Sequence, residues 1–399
     1  MRSTHPVFAQ AGTTIFETMT RLALAENAIN LGQGFPDEDG PEEMRRHAAE
    51  ALLAGPNQYP PMMGLPALRA AVAAHAERHY ALAYDPAAEV LVTSGATEAI
   101  ADALLALVEA GDEVVVFEPF YDCYAPMIRR AGGTVKPVRL HAPDWHVDTN
   151  ELEAAFGPRT KLVLLNTPHN PTGKVFTQAE LARIAALVET HGAYALCDEV
   201  YEHVTFDGLR HHSLAQLPGM RERVLRIGSA GKTFSMTGWK VGYLCGPAEL
   251  VATVAKAHQY VTFTTPPALQ SAVAFGLEHC ADFYGGLAAV LQRKRDLLAE
   301  GLAKAGLSVL PCEGAYFLVA DGSGLGLADG AEAARRLTAE AGVACVPVSA
   351  FYDAASADVP NQLVRFCFSK REDVLREASE RLAAFGRASS PATETEDAA

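Results

Sequence analysis

Short β-branched runs that end in turn signals alternate with amphipathic helical stretches along the first two thirds of this chain. The runs are Glu89–Ser94, Glu113–Phe117, Lys161–Asn166, Tyr194–Asp198, Val224–Ser229 and Val241–Cys245. Helices are expected over Pro66–Tyr80, Thr97–Glu109, Ala179–His191 and Pro267–His279. Strands that alternate with helices must be joined by crossovers, which makes a largely parallel sheet with helices on both faces. Past residue 285 the texture changes. Leu287–Ala305 reads as one long helix carrying Arg293, Lys294 and Arg295, followed by short strands at Tyr316–Ala320, Val343–Val348 and Leu363–Phe368. The chain has 399 residues, beyond the roughly 250–300 at which one core stops growing, so a second, smaller α+β domain is expected. The expected division is a segment 1–44 that joins the small domain, a large domain 45–285, a small domain 286–386 and a disordered tail 387–399 rich in Ser, Ala, Thr and acid.

Charge and cysteine use narrow the partners. The formal net charge is −15, which argues against nucleic acid or an anionic membrane surface, both of which need a basic face. A small anionic ligand needs only local positive charge. The seven cysteines are scattered and form no C-x-x-C pair, which points to reduced thiols in the cytoplasm rather than a disulfide framework or a metal site. Met1–Pro6 has no apolar run of a signal peptide, and no stretch reaches the ~18 apolar residues of a membrane span.

In a sheet of this kind ligands bind beyond the carboxyl ends of the strands. The first strand runs into Thr93-Ser94-Gly95-Ala96-Thr97-Glu98, a glycine turn that opens a helix and offers backbone N–H groups to a phosphate. The second ends near Tyr121, whose ring can stack on a flat heterocycle. The third leads into Asn166-Thr167-Pro168-His169-Asn170-Pro171-Thr172-Gly173, where two X-Pro steps are expected to hold an extended, stiff loop presenting Asn170. The fourth ends in Asp198-Glu199-Val200-Tyr201, and a carboxylate there is costly unless a cation meets it. The fifth ends at Ser229 and leads to Lys232 and Lys240, two lysines in a stretch of small and apolar residues. Taken singly, each has a plainer reading: a capped turn, a core aromatic, a structural loop, a helix N-cap, solvated lysines. Two common phosphate motifs fail. Gly32-Gln33-Gly34-Phe35-Pro36-Asp37 lacks the third glycine of G-x-G-x-x-G, and Gly231-Lys232-Thr233 lacks the first glycine of a P-loop because Arg226 stands there.

Together, Asn-Thr-Pro-His-Asn-Pro-Thr-Gly, Cys-Asp-Glu-Val-Tyr and Ser-Ala-Gly-Lys-Thr-Phe…Gly-Trp-Lys-Val-Gly resemble the class I/II aminotransferases of pyridoxal-5′-phosphate (PLP) fold type I. The resemblance runs from about Ile29 to Leu382 and is strongest to the methionine aminotransferase and kynurenine–oxoglutarate (glutamine-phenylpyruvate) transaminase subgroup. It implies that Lys232 carries the cofactor as a Schiff base and moves the substrate proton. It implies that Asp198 pairs with the pyridinium nitrogen, that Tyr201 and Asn170 bond the ring 3′-oxygen, and that Tyr121 stacks on the ring. Gly95, Ala96 and Thr97 would hold the phosphate, with Ser229 and Lys240 completing the cup. Many relatives have arginine in place of Lys240, so the two-pronged grip on phosphate is absent. Tyr59 matches a tyrosine that reaches the phosphate of a neighbouring subunit, which implies a homodimer with shared sites. Arg365 and Gly34 would receive the substrate α-carboxylate.

The segment Gln259–Thr265 resembles one that lines the neighbour's side-chain pocket, and it holds no arginine. With Phe16, Tyr260 and Phe263 it suggests methionine, glutamine or aromatic donors rather than dicarboxylates, with a 2-oxo acid as acceptor in a ping-pong cycle. The alternatives are β-elimination from cysteine conjugates at the same site and a non-catalytic PLP-binding regulator.

Overall fold

The computed structural model describes residues 4–9 and 12–389. Its main sheet has eight strands in the order Val90–Thr93, Gly242–Cys245, Val224–Ser229, Tyr194–Asp198, Thr160–Asn166, Glu113–Glu118, Thr134–His141 and His146–Val147. The five from Val224–Ser229 to Thr134–His141 are parallel neighbours. Gly242–Cys245 runs against both of its neighbours, and His146–Val147 is a short antiparallel edge. The sheet is therefore mixed, with a parallel centre.

The central strands are buried along almost their whole length, because helices cover both faces. Alternate side chains divide between two apolar layers, as the period of two in a strand requires. Val114, Val116, Leu162, Leu164 and Leu196 face one layer, with Ile100, Ala103 and Leu104 of helix Ala96–Leu107. Val115, Phe117, Val163, Leu165 and Cys197 face the other, with Leu68 and Val72 of Pro66–Tyr80, Ile184 and Val188 of Gln178–Thr190, and Val273 and Leu277 of Pro267–His279. Thr177 caps Gln178–Thr190 through a complete capping box with Glu180.

A second sheet is antiparallel, in the order Ser308–Val309, Phe317–Asp321, Leu363–Cys367 and Val346–Pro347. Helices Ala281–Lys304 and Glu372–Ser389 pack on each other beside it. Ile29–Asn30 pairs in parallel with Val343–Ala344. Leu31 N–H donates to Ala344 O at 2.9 Å and Cys367 N–H donates to Leu31 O at 2.6 Å. The N-terminal stretch is thus bonded into the C-terminal sheet.

Three expectations are corrected and one strand was missed. The strand Thr134–His141 escapes sequence reading because Lys136, Pro137 and Arg139 interrupt its apolar pattern near the sheet edge. The long helix, expected from Leu287, begins at Ala281 and runs through Gly285 and Gly286 despite their poor helix propensity. The run Val343–Val348 is split at Cys345, where the backbone changes partner from Ile29–Asn30 to Leu363–Cys367. Arg387–Ser389, expected in the disordered tail, ends the last helix, which Leu382 and Phe385 anchor in the core. The rest of that tail, 390–399, lies outside the described residues.

The helix Ala96–Leu107 is braced by a buried polar triad. His258 Nδ1 lies 2.9 Å from Glu98 Oε1 and 3.5 Å from Asp102 Oδ2, and Glu98 also accepts from Ser94 N–H. Burial alone would lower the His258 imidazole, but Asp102 and Glu98 outweigh it and push it to about 9. A raised histidine stabilises fully below its unfolded value of 6.5, and the contribution is lost as pH rises through about 9. The stability gap between the wild type and His258→Gln, read by urea titration, should therefore be widest below pH 6.5 and shrink towards pH 10. A gap independent of pH would show that folding leaves the imidazole's titration unshifted, and one that narrows below pH 6.5 would show that it is buried neutral.

Candidate active site

The strand ends converge on a cavity of about 380 Å³ lined by Gly34, Gly95, Ala96, Thr97, Tyr121, Asn170, Asp198, Tyr201, Ser229, Lys232, Lys240 and Arg365. Ten of these come from the turns that close the main sheet or from residues beside it, Gly34 comes from the N-terminal stretch and Arg365 from the second sheet. Of the site residues expected from sequence, only Tyr59 lies elsewhere. It is 83% exposed, with its ring edge-on to Phe263 at 5.3 Å. Tyr260 is 84% exposed and is likewise outside the cavity, whereas Phe16 lines it.

Asp198 ends its strand 5% exposed. Burial pushes its carboxyl up to about 6, against the pull of Tyr124, whose hydroxyl donates to Oδ2 at 2.6 Å. The other oxygen receives only a long bond, 3.4 Å, from Val200 N–H. The carboxylate thus keeps acceptor capacity towards the cavity, the state of a buried acid that awaits a cationic partner. Asn166 steadies the neighbouring backbone. Its amide donates to Asp198 O at 2.9 Å and its oxygen accepts from Asn170 N–H at 2.7 Å.

The loop bearing Asn170 is not extended as its prolines suggested. His169 N–H donates to Lys174 O and Gly173 N–H to His169 O, both at 2.8 Å, and fold it into a tight turn. Asn170 Oδ1 accepts from Arg365 Nη1 at 2.8 Å, and Arg365 Nη2 donates to Gly32 O at 2.8 Å. Arg365 is 1% exposed, its guanidinium 4.0 Å from the centre of the Phe317 ring, and its Nε has no partner. Burial lowers it to about 10, so it stays charged at neutral pH.

Lys232 sits in the short helix Ala230–Thr233. Its Nζ donates to Tyr316 Oη at 2.8 Å, and that hydroxyl donates to Gly34 O at 2.9 Å. Burial lowers the ammonium to about 8, with Arg365 and Lys240 adding to the effect against the attraction of Asp198. A lysine in that range supplies free amine near neutral pH. Gly34 is required where it stands, since an added Cβ would lie 2.7 Å from the Phe317 ring.

Gly95 takes φ +82°, and its N–H is committed to Thr93 O at 2.8 Å. The donors of the helix first turn are therefore Ala96 and Thr97. Opposite them stands Lys240, also at positive φ (+53°), with Nζ 3.1 Å from where a Gly95 Cβ would be. Gly242 lets the two segments meet, because its Cβ would fall 2.6 Å from the Gly95 carbonyl carbon. Two helix N–H groups, the Ser229 hydroxyl and one ammonium make an anion cup. With a buried acid, an aromatic face at Tyr121 and a lysine of lowered basicity, the donor set fits the phosphate, ring nitrogen, ring plane and aldehyde of PLP.

Sequence reading gave no role to Tyr124, Asn166 or Tyr316. Tyr124 stands one helical turn after Tyr121, and Asn166 ends the strand before Asn170, so both carried a local signal. Tyr316 reaches Lys232 only through tertiary packing.

On the opposite face of the sheet, Arg226 is fully buried and ion-paired to both Glu199 and Glu202. Ser213 Oγ donates to Glu199 at 2.7 Å, Tyr243 Oη donates to Glu202 at 3.2 Å, and the guanidinium lies 4.3 Å from the Tyr80 ring centre. Burial would raise Glu202, but Arg226 holds it well below the usual carboxylate range. Glu199 and Glu202 alternate with Asp198 and Tyr201, so the pairs fasten from behind the turn that serves the cavity. Arg226→Met should cost about 3–5 kcal/mol in urea unfolding, because it leaves buried Glu202 without its cation and Glu199 with only His211 beside it. A loss under 1 kcal/mol would mean that those carboxyls take up protons at little cost.

The family model for aminotransferase class I and II matches residues 26–382. A probable N-succinyldiaminopimelate aminotransferase of Mycobacterium tuberculosis is 47% identical over 96% of this chain and 98% of its own. The methionine aminotransferase of Escherichia coli is 44% identical over 94% and 96%. A kynurenine–oxoglutarate transaminase of Dictyostelium discoideum is 39% identical over 93% and 94%. Among solved structures, the N-succinyldiaminopimelate aminotransferase of M. tuberculosis superposes with a TM-score of 0.92 at 46% identity, covering 96% of this chain and 100% of that one. With the cavity, these likenesses settle the family: the chain belongs to the class I and II aminotransferases and transfers amino groups with PLP.

Proposed function

We propose that the enzyme takes the α-amino group from amino acids with uncharged side chains, methionine being the reference donor, and passes it to a 2-oxo acid in a ping-pong cycle. The observation that carries this reading is the cation set of the cavity. Among the described lining residues Arg365 is the one guanidinium, and the walls around it are Phe16, Phe35 and Phe317. One fork suffices for an α-carboxylate, and nothing comparable in the lining awaits a second carboxylate.

PLP, when bound, supplies an electron sink for the bond that breaks at the substrate α-carbon. The rest falls to the chain. Lys232 would anchor the cofactor, and its amine would serve as the base that carries the proton from the substrate α-carbon. Tyr316 and Gly34 O orient that amine. Asp198, oriented by Tyr124, would keep the ring nitrogen protonated. Asn170 and Tyr201 would bond the ring oxygen, Tyr121 would cover the ring face, and Ala96, Thr97, Ser229 and Lys240 would hold the phosphate. Gly34 and Arg365 seat the substrate carboxylate. Tyr59 serves a second copy: exposed and remote from its own cavity, it completes the partner's phosphate cup in a homodimer. The seven unpaired cysteines suit a cytoplasmic enzyme.

A second reading has support in the similarity to the N-succinyldiaminopimelate aminotransferase. Such a donor presents the same α-amino acid head but adds distal carboxylates, so it calls for cations from outside this lining.

Titration of the purified protein with L-methionine, followed between 300 and 500 nm, tests the reading. The cofactor band should shift to the pyridoxamine form at low millimolar donor or less. A response to N-succinyl-L,L-diaminopimelate with none to methionine would overturn the substrate assignment in favour of the second reading. Arg365→Ala should lower kcat/KM for methionine by about 30-fold or more while the cofactor band is kept, since truncating one side of a buried charged pair costs roughly 2–5 kcal/mol. Tyr59→Ala should weaken PLP retention in gel filtration, and unchanged retention would remove it from the site.

A further inference from the structure

Behind the turn that carries Asp198 and Tyr201, three imidazoles meet. His75 and His79 stand four residues apart on one face of helix Pro66–Tyr80, and His203 follows Tyr201 by two residues. Their ring centres form a nearly equilateral triangle: 4.6 Å for His75–His79, 5.0 Å for His75–His203 and 5.2 Å for His79–His203. The Nε2 atoms of His75 and His203 are 2.8 Å apart. The Glu202 carboxylate stands within ligand distance of this pair, though its oxygens are engaged by Arg226 and Tyr243.

We propose that His75, His203 and Glu202, whose ligand atoms already converge, with exposed His79 turning in from the surface, form a binding site for one divalent transition-metal ion of the zinc, nickel or copper type. The chemistry is that of an i, i+4 histidine pair joined by a third imidazole from another segment, a ligand set that suits these borderline ions. The dimensions agree. A zinc-bound imidazole nitrogen lies about 2.0–2.1 Å from the ion and its ring centre about 1.1 Å beyond, so tetrahedral ligation places ring centres roughly 5 Å apart. The facing nitrogens would have to part by about 0.5 Å to reach the roughly 3.3 Å of a tetrahedral edge. His79 is exposed and can turn to follow. One further observation favours a cation over simple packing: buried His75 leaves its Nδ1 without a partner, so the hydrogen bond to His203 does not satisfy the ring.

The site belongs to no step of the amino transfer. It closes on the same turn from the side away from the cavity. An ion there would tie helix Pro66–Tyr80 to the segment Asp198–His203.

The test is calorimetric titration of the untagged, EDTA-treated holoenzyme with Zn²⁺ and, for a spectral readout, Co²⁺. The expected result is one ion per chain, with Co²⁺ giving visible bands of a low-coordinate nitrogen site. His79→Ala and His203→Asn should each weaken the ion at least tenfold, since even outer partners of metal ligands are worth that much. His79 is exposed, so its variant folds and decides the matter alone if His203→Asn does not. Absence of binding at micromolar protein overturns the proposal. So does binding that His79→Ala leaves undiminished, which would assign the ion to the cysteines or to other surface histidines.

Discussion

The structure turns on one carboxylate, Asp198, kept at the end of a central strand where water scarcely reaches it. An ionised acid in that position is unfavourable unless something meets it, and the surroundings are organised around that fact. Tyr124 takes one oxygen. Asn166 holds the main-chain carbonyl of the same residue and, with its other end, the backbone of Asn170. Asn170 in turn holds Arg365. A continuous run of hydrogen bonds therefore joins the buried acid at the strand end to the guanidinium of Arg365. The same run crosses from one sheet to the other. What looks like a list of separate binding residues is one framework, in which each polar side chain is oriented by the next.

The opposite face repeats the solution with the signs exchanged. Arg226 is a buried cation that would be intolerable alone, and Glu199 and Glu202 neutralise it. Because the turn alternates its side chains, the two residues that fasten it from behind lie beside the two that work in front. The energetic stake is large on the side that has no chemistry, and this lets the side with chemistry keep acceptor capacity unspent.

Much of this was legible in the sequence, for reasons that can be named. The parallel centre of the sheet follows from apolar runs separated by helices, and the cavity residues follow from asking which polar groups end those runs. The strand Thr134–His141 was not legible, because a strand near the edge tolerates Lys136, Pro137 and Arg139 and so loses its pattern. Nor was the split at Cys345, since a change of hydrogen-bonding partner leaves no mark on composition. The loop at Asn170 was read as extended because proline restricts its predecessor, yet bonds between His169, Gly173 and Lys174 decide its path. Tyr316 lay beyond reach for another reason: its value depends on Lys232, eighty-four positions away along the chain.

The pairing of Ile29–Asn30 with Val343–Ala344, and the bond from Cys367 to Leu31, make the N-terminal stretch a passenger of the second sheet. Phe16, Gly34 and Arg365 therefore stand on one side of the cavity, although more than three hundred residues separate Arg365 from the other two. Lys232, Asp198 and the anion cup stand on the other. The cavity lies between these two groups of residues, so on the proposed roles the cofactor would be held from one side and the substrate gripped from the other.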